Sequence, residues 1–279
     1  MNNHNPKIFF IVPSLTAGGA ERIMTFLSKN INRSIFDCTL IVLGSDTNIA
    51  YNIKDTNVIF FNKNRVFNAL PNLIGYIHNN KPQVVMSTIV HLNIAMGLIS
   101  ILFPKIIFVG RQASITKISE IYSEKKPSKL LKIFAKYGLN NLDYIICQSS
   151  DMYKDCIEVF KIKEKKLYII HNPITDKFKV KKNSEFVENR PIKFITVGRL
   201  VKIKGINRIL NILSKLQIPF YYTIIGNGPE KKEIIDQIAQ LNLTKKVELI
   251  DFSNDIAQYL AKHDFYLQGS FAEGFPNAL

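Results

Sequence analysis

The feature that most constrains this chain is an alternation. Short runs rich in Ile, Val and Phe take turns with segments of helical periodicity. "KIFFIVPS" reads as a strand and "AERIMTFLSKNI" as an amphipathic helix. "CTLIVLG" and "VIFFN" are strands, and "VFNALPNLIGYIHNN" is helical. "QVVMST" is a strand and "NIAMGLISILF" a helix. "KIIFVGR" and "YIICQSS" are strands with a basic helical stretch between them, and "KLYIIHNP" is the next strand. Strands apolar on both faces and separated by helices predict an α/β protein, its parallel sheet covered on both sides.

The alternation breaks once. "ITDKFKVKKNSEFVENRP" (residues 174–191) is polar and charged, without a clear period, and reads as a linker. After it the pattern restarts: "IKFITVGR", helix "INRILNILSKL", "FYYTIIG", helix "EKKEIIDQIAQL", "KVELID", helix "DIAQYLAK", "DFYLQGS". The expected organisation is a Rossmann-like N-terminal domain over 1–173, a linker over 174–191 and a second Rossmann-like domain over 192–279. A cleft is expected between them, with ligands beyond the carboxyl ends of the strands. The second domain halts where its next helix should begin, so it reads as incomplete.

At 279 residues, with 47% hydrophobic and 21% charged residues, the composition is globular. A formal charge of +15 favours anionic partners. Nucleic acid is not expected among them, because the lysines are scattered and no zinc, helix-turn-helix or RNP motif is present. Cys38, Cys147 and Cys156 are far apart without a CxxC pair, which reads as reduced, buried thiols rather than a disulfide or metal site. "KIFFIV" is too short for a secretory core, and the apolar run 92–103 falls short of the roughly 18 residues that span a bilayer. The expected location is cytoplasmic, or peripheral on the inner face of the plasma membrane.

Three glycine turns follow strands. "PSLTAGGAER" places Gly18 and Gly19 after the first strand and opens a helix, a geometry that suits an anion, or simply a tight turn. It is not GxGxxG, so a dinucleotide site is weakly supported. "VGRLVKIKG" sets Arg199 directly after Gly198 and Lys204 five residues later, two cations at a strand exit that suit a diphosphate or form a solvated basic loop. "IIGNGPE" has glycines at the strand exit and Pro229 in the first helical turn, and its expected job is structural. The last motif, "FAEGFPNAL", offers the carboxylate of Glu273 and the backbone N–H groups of Gly274 and Phe275, which can hold sugar hydroxyls and a phosphate.

In order and spacing, "GGAER", "VGRLVKIKG", "IIGNGPE" and "EGFPNAL" resemble family-4 glycosyltransferases of the GT-B fold, closest to bacterial enzymes that build surface polysaccharides. "NLDYIICQSS" and "LYIIHNPI" fit the family's end of the first domain. The resemblance implies retaining transfer of a hexosyl or N-acetylhexosaminyl group from a nucleotide-sugar donor, UDP-linked, to a lipid-linked or growing glycan. It implies no metal and no separate cofactor. By matching position, Arg199 and Lys204 would grip the donor diphosphate and stabilise the leaving group. Glu273 would bind sugar hydroxyls, and Gly18 and Gly19 would meet the diphosphate and sugar. His91 matches a histidine that faces the donor sugar, although a lone histidine after a strand is commonly structural. Arg111 either faces the acceptor or lies on the surface. Phe252 and Ser253 fall near the loop where the base is recognised.

The family pairs its first glutamate with a second, eight positions on, that grips the ribose. Counted from Glu273 it would lie two residues past Leu279. The expectation is a C-terminally truncated chain with little or no activity by itself. A non-catalytic partner protein is the alternative. A sugar-nucleotide epimerase is disfavoured by "EGFPNAL", and a nicotinamide oxidoreductase by the first glycine turn.

One helix carries a separate question. In "KKPSKLLKIFAKYGL", Lys129, Lys132 and Lys136 share one face, and Leu130, Ile133, Phe134 and Tyr137 share another. Such a helix either lies on an anionic membrane or packs its apolar face into the core and solvates its lysines.

Overall fold

The computed structural model describes residues 5–122, 127–173, 178, 190–253 and 255–275. Nearly all of the predicted linker, 174–191, lies outside the described residues. The chain divides into two compact units, residues 1–173 and residues 174–279.

The first unit is a seven-stranded, wholly parallel sheet. Its strands are β1 (Lys7–Val12), β2 (Asp37–Val42), β3 (Val58–Phe60), β4 (Val84–Thr88), β5 (Ile107–Arg111), β6 (Tyr144–Cys147) and β7 (Leu167–Ile169). Their spatial order is β3-β2-β1-β4-β5-β6-β7. Side chains alternate across a strand, and here both faces are covered. Phe9 and Ile11 enter one core with Ile41, Val85 and Phe108, while Phe10 and Val12 enter the other with Leu40, Val42 and Met86. That double burial is why the strands read as unbroken apolar runs.

The connections are helical: α1 (Gly19–Asn30), α2 (Val66–Asn80), α3 (Val90–Ile99), α4 (Thr116–Ile121), α5 (Lys129–Asn141) and α6 (Ser150–Phe160). Helix α6 is absent from the expected alternation. Its start signal was present, since Ser149 caps it by accepting from the Met152 N–H at 3.3 Å. Helices α3 and α5 cross on bare backbone: a Cβ on Gly97 would stand 1.7 Å from the Gly138 carbonyl oxygen.

Among the described residues the second unit has four parallel strands: β8 (Ile192–Val197), β9 (Phe220–Ile225), β10 (Val247–Ile250) and β11 (Phe265–Tyr266). Their order is β10-β9-β8-β11. Helices α7 (Ile206–Leu213) and α8 (Lys231–Gln240) bury Ile209, Leu210, Leu213, Ile234 and Ile238 against Tyr222 and Ile224 of β9. Helix α9 (Ile256–Lys262) leads into β11. In each sheet the chain order reverses once, between β1 and β4 and between β8 and β11. At such a switch point two successive loops diverge and leave a crevice at the carboxyl ends of the strands.

Candidate functional site

In the second unit the switch point gathers the loops after β8 and β11. They carry Gly198–Gly205 and Leu267–Phe275 and are 69 residues apart at the contact that joins them: Lys204 Nζ donates to Glu273 Oε1 at 2.5 Å. The same oxygen accepts from Ser270 Oγ at 2.6 Å. The pair is partly shielded, with side chains 31% and 19% exposed. It lines a small crevice with Thr196, Gly198, Tyr266 and Gly269. Arg199 is exposed beside it and forms no hydrogen bond or ion pair through its guanidinium among the described residues. The rim thus holds a shared ammonium and an acceptor carboxylate, and an exposed arginine follows the lining Gly198 in sequence.

Backbone contacts fix these loops. Gly205 has φ of +60°, and a Cβ there would lie 2.1 Å from the Gly269 carbonyl oxygen. Only glycine allows both the dihedral and the approach. Gly228 packs on Leu200, whose N–H donates to the Asn227 carbonyl at 3.0 Å. The third glycine turn therefore buttresses the second. Beneath the rim, Tyr222 donates to Thr196 Oγ1 at 2.7 Å, and Thr196 donates to the Leu267 carbonyl at 2.6 Å. Tyr266 donates to the Val197 carbonyl at 3.0 Å. Burial raises the pKa of both phenols, so both remain donors. Gly274 and Phe275 continue from Glu273, half-buried. Phe252 is exposed just past β10 and Ser253 follows it, with Ser253 Oγ accepting from the Asp255 N–H.

In the first unit the switch point brings the turn after β1 to the exits of β4 and β5. Gly18 precedes α1 and Gly19 begins it. The Tyr51 hydroxyl accepts from the Gly18 N–H at 2.6 Å and donates to the Gly18 carbonyl at 2.5 Å. Glu21, only 9% exposed, reaches back to this turn: a Cβ on Gly18 would lie 2.2 Å from its Oε2. The positive end of α1 therefore already has a carboxylate beside it.

Arg111, for which a surface position was one of two expectations, is 3% exposed. Its guanidinium donates to Thr88 Oγ1 at 3.2 Å and to Asn172 Oδ1 at 2.6 Å. Burial lowers its pKa to about 10, partly offset by the Glu21 carboxylate, so it is charged at neutral pH. It ties β4, β5 and the segment after β7 and does not present itself to a ligand. Between β4 and α3, Ile89 has φ of 72°. A β-branched residue is strained there, and such strain concentrates at working sites. Two residues on, His91 lies in the first turn of α3 with an exposed ring, yet surrounding protein desolvates it enough to lower its pKa, which favours the neutral imidazole.

The expected residues thus fall on loops at the two switch points: Gly198, Arg199, Lys204, Glu273, Gly274 and Phe275 in one unit, where Lys204 and Glu273 touch, and Gly18, Gly19 and His91 after neighbouring strands in the other. Sequence reasoning missed Ser270, Tyr51 and the contact of Glu21 with the glycine turn. Each acts across a distance in sequence or by a turn geometry that no local pattern announces. Glu21 alone had a signal, an acid three residues past a helix start.

Two family models match. One, described as Glycosyltransferase Family 4, covers residues 17–178, and the other, Glycosyl transferases group 1, covers residues 176–279. Among curated relatives, N-acetylgalactosamine-N,N'-diacetylbacillosaminyl-diphospho-undecaprenol 4-alpha-N-acetylgalactosaminyltransferase of Campylobacter jejuni is 32% identical over 137 residues, which is 49% of this chain and 38% of that protein. The amylovoran biosynthesis glycosyltransferase AmsD of Erwinia amylovora is 24% identical over 98% of this chain and 77% of its own length. Among solved structures, Anabaena HepE in complex with UDP and glucose superposes with a TM-score of 0.78 at 18% identity, over 98% of this chain and 76% of that one.

Proposed function

Because the chain belongs to glycosyltransferase family 4, with the GT-B type of fold, we propose that it transfers a sugar, with retention, from a UDP-sugar to a lipid-linked or growing glycan in surface polysaccharide synthesis. The observation that carries the reading is the rim of Arg199, Lys204 and Glu273 at the switch point of the second unit. It offers cations for a diphosphate next to a carboxylate for sugar hydroxyls, where α/β sheets bind nucleotides. A solved neighbour holds UDP and glucose, and one relative is named for an undecaprenol-linked acceptor, which supports both substrate classes.

In this mechanism the bond from the sugar's anomeric carbon to the diphosphate oxygen breaks, and its electron pair stays on that oxygen. Arg199 and Lys204 stabilise the negative charge that grows there. Lys204 is shared with Glu273 in the structure, and a bound diphosphate takes over part of that bond. Glu273 then accepts hydrogen bonds from the donor sugar. The acceptor hydroxyl attacks the anomeric carbon from the side the leaving group departs, and its proton passes to the leaving phosphate. Charge neutralisation by these two side chains makes no demand for a metal ion.

The acceptor side of the proposal includes an anionic membrane surface. Leu130, Ile133, Phe134 and Tyr137 of α5 are between 49% and 64% exposed, next to a face bearing Lys129, Lys132 and Lys136. No helix among the described residues is long and apolar enough to cross a membrane.

The test supplies the protein, at the length its source cells make, with a panel of UDP-sugars and an undecaprenyl-diphosphate-linked saccharide. A glycosylated lipid with an α-anomeric linkage is expected. Conversion of the donor to an epimeric sugar without acceptor, or no turnover with any donor, contradicts the reading.

A further inference from the structure

The loop between β2 and β3 has no assigned chemistry, yet it grips the first glycine turn at two points. The Ala50 N–H donates to the Leu15 carbonyl at 2.9 Å, and one residue later Tyr51 meets Gly18. We propose that Tyr51 is a positioning residue for the Gly18–Gly19 turn, its hydroxyl holding both backbone polar groups of Gly18 so that the next amides of the turn face the ligand.

The geometry is specific. Gly18 has φ of −163° and ψ of 149°, an extended conformation that any residue adopts. In that conformation the N–H and C=O of one residue lie on the same edge. A single phenol can then accept from one and donate to the other, as Tyr51 does. The space a Cβ would take at Gly18 is held by the end of the Glu21 side chain, its Oε2 at 2.2 Å, so a larger residue there requires that carboxylate to shift. The turn is thus held between a half-buried hydroxyl on one side and a buried carboxylate on the other.

A consequence follows for binding. The Gly18 N–H is already used, and the Gly18 carbonyl also accepts the first intrahelical bond of α1, from the Arg22 N–H at 3.0 Å. Of the four N–H groups at this helix start that precede the first intrahelical bond, those of Gly19 and Ala20 follow Gly18 directly in the turn. They are the donors that a phosphate or sugar oxygen would meet. Tyr51 sets their direction without touching the ligand.

The proposal rests on the donor reading above for its functional arm, and its structural arm stands alone. Tyr51→Phe keeps the ring and removes the hydroxyl. Hydrogen exchange at the Gly18 amide is expected to speed up about tenfold, while exchange in β8 and β9 stays unchanged. If the Phe variant loosens the whole first unit, the partition of the donor carries the test instead. With UDP-sugar and acceptor, the ratio of donor hydrolysis to transfer is expected to rise several-fold in Tyr51→Phe. That ratio does not depend on how much protein is folded. Unchanged exchange at Gly18 overturns the proposal. Faster exchange with an unchanged ratio also overturns it, since the turn is then held but its position does not matter. If the wild type transfers no sugar, the donor reading fails, and the exchange arm still decides whether Tyr51 holds the turn.

Discussion

Lys204 and Glu273 show what a residue can and cannot reveal in a sequence. Each was identifiable as chemistry, a cation after one strand and an acid after another. That they touch was not, because 69 residues separate them and only the crossover to β11 brings them together. Arg111 is the reverse case: its side chain was visible, and its burial against Asn172 was not. Gly205 yields a prediction at this scale. An alanine there must adopt a left-handed φ and press on the Gly269 carbonyl. Gly205→Ala is expected to destabilise by about 1–3 kcal/mol, seen as a drop of several degrees in Tm. An unchanged Tm would mean that the two loops are not pinned together. The cysteines give a second prediction. Burial raises the Cys38 pKa to about 11, and the hydrogen bond with Cys156, then burial, raise Cys147. Below the raised pKa a thiol stays protonated and unreactive. Cys156, whose pKa the hydrogen bond with Cys147 lowers, is shielded by burial instead, so at pH 8 an aromatic disulfide reagent is expected to titrate none of the three rapidly in the folded protein and all three after denaturation. A thiol that reacts within seconds would contradict this.

Elements were the most legible level. The strands of the first sheet announced themselves because both faces are buried, so hydrophobicity did not have to alternate. Helix α6 escaped because its polar residues dilute the period, although Met152, Cys156 and Phe160 are buried on one face at four-residue intervals. Helix α5 is the instructive element. Its pattern of lysines against Leu130, Ile133, Phe134 and Tyr137 fitted an ordinary core helix as well as a surface one. The structure separates the two, since the buried residues are Ala135, Gly138 and Leu139 and the large apolar ones are exposed. Small residues at 135 and 138 let α3 approach closely, and the opposite side is left bare. Such a helix, apolar next to cationic, suits an anionic bilayer surface. Ile133→Asp with Phe134→Asp is expected to reduce cosedimentation with anionic liposomes several-fold, and Lys129→Glu with Lys136→Glu to do the same. Neutral liposomes are expected to bind weakly throughout. Equal binding of wild type and variants would remove α5 as the contact.

At the scale of the whole molecule, the single break in the alternation signalled two units, and each unit has its own sheet, core and switch point. Topology explains why the candidate residues cluster where they do. Loops after β1 and β4 leave neighbouring strands in one unit, and loops after β8 and β11 meet in the other, because strand order reverses there. The sequence could not show which loops are neighbours, since strand order is set by long-range pairing. Nor could it show the polar ties beneath the loops, such as Tyr222 to Thr196. The proposed donor site depends on Lys204 in the rim of the second unit. The most direct test is calorimetric titration of the full protein with UDP, wild type against Lys204→Met. Binding by the wild type is expected, with a loss of about tenfold to a hundredfold in affinity for the variant, the worth of one charge-assisted bond. No binding by the wild type, or equal binding by both, would contradict it.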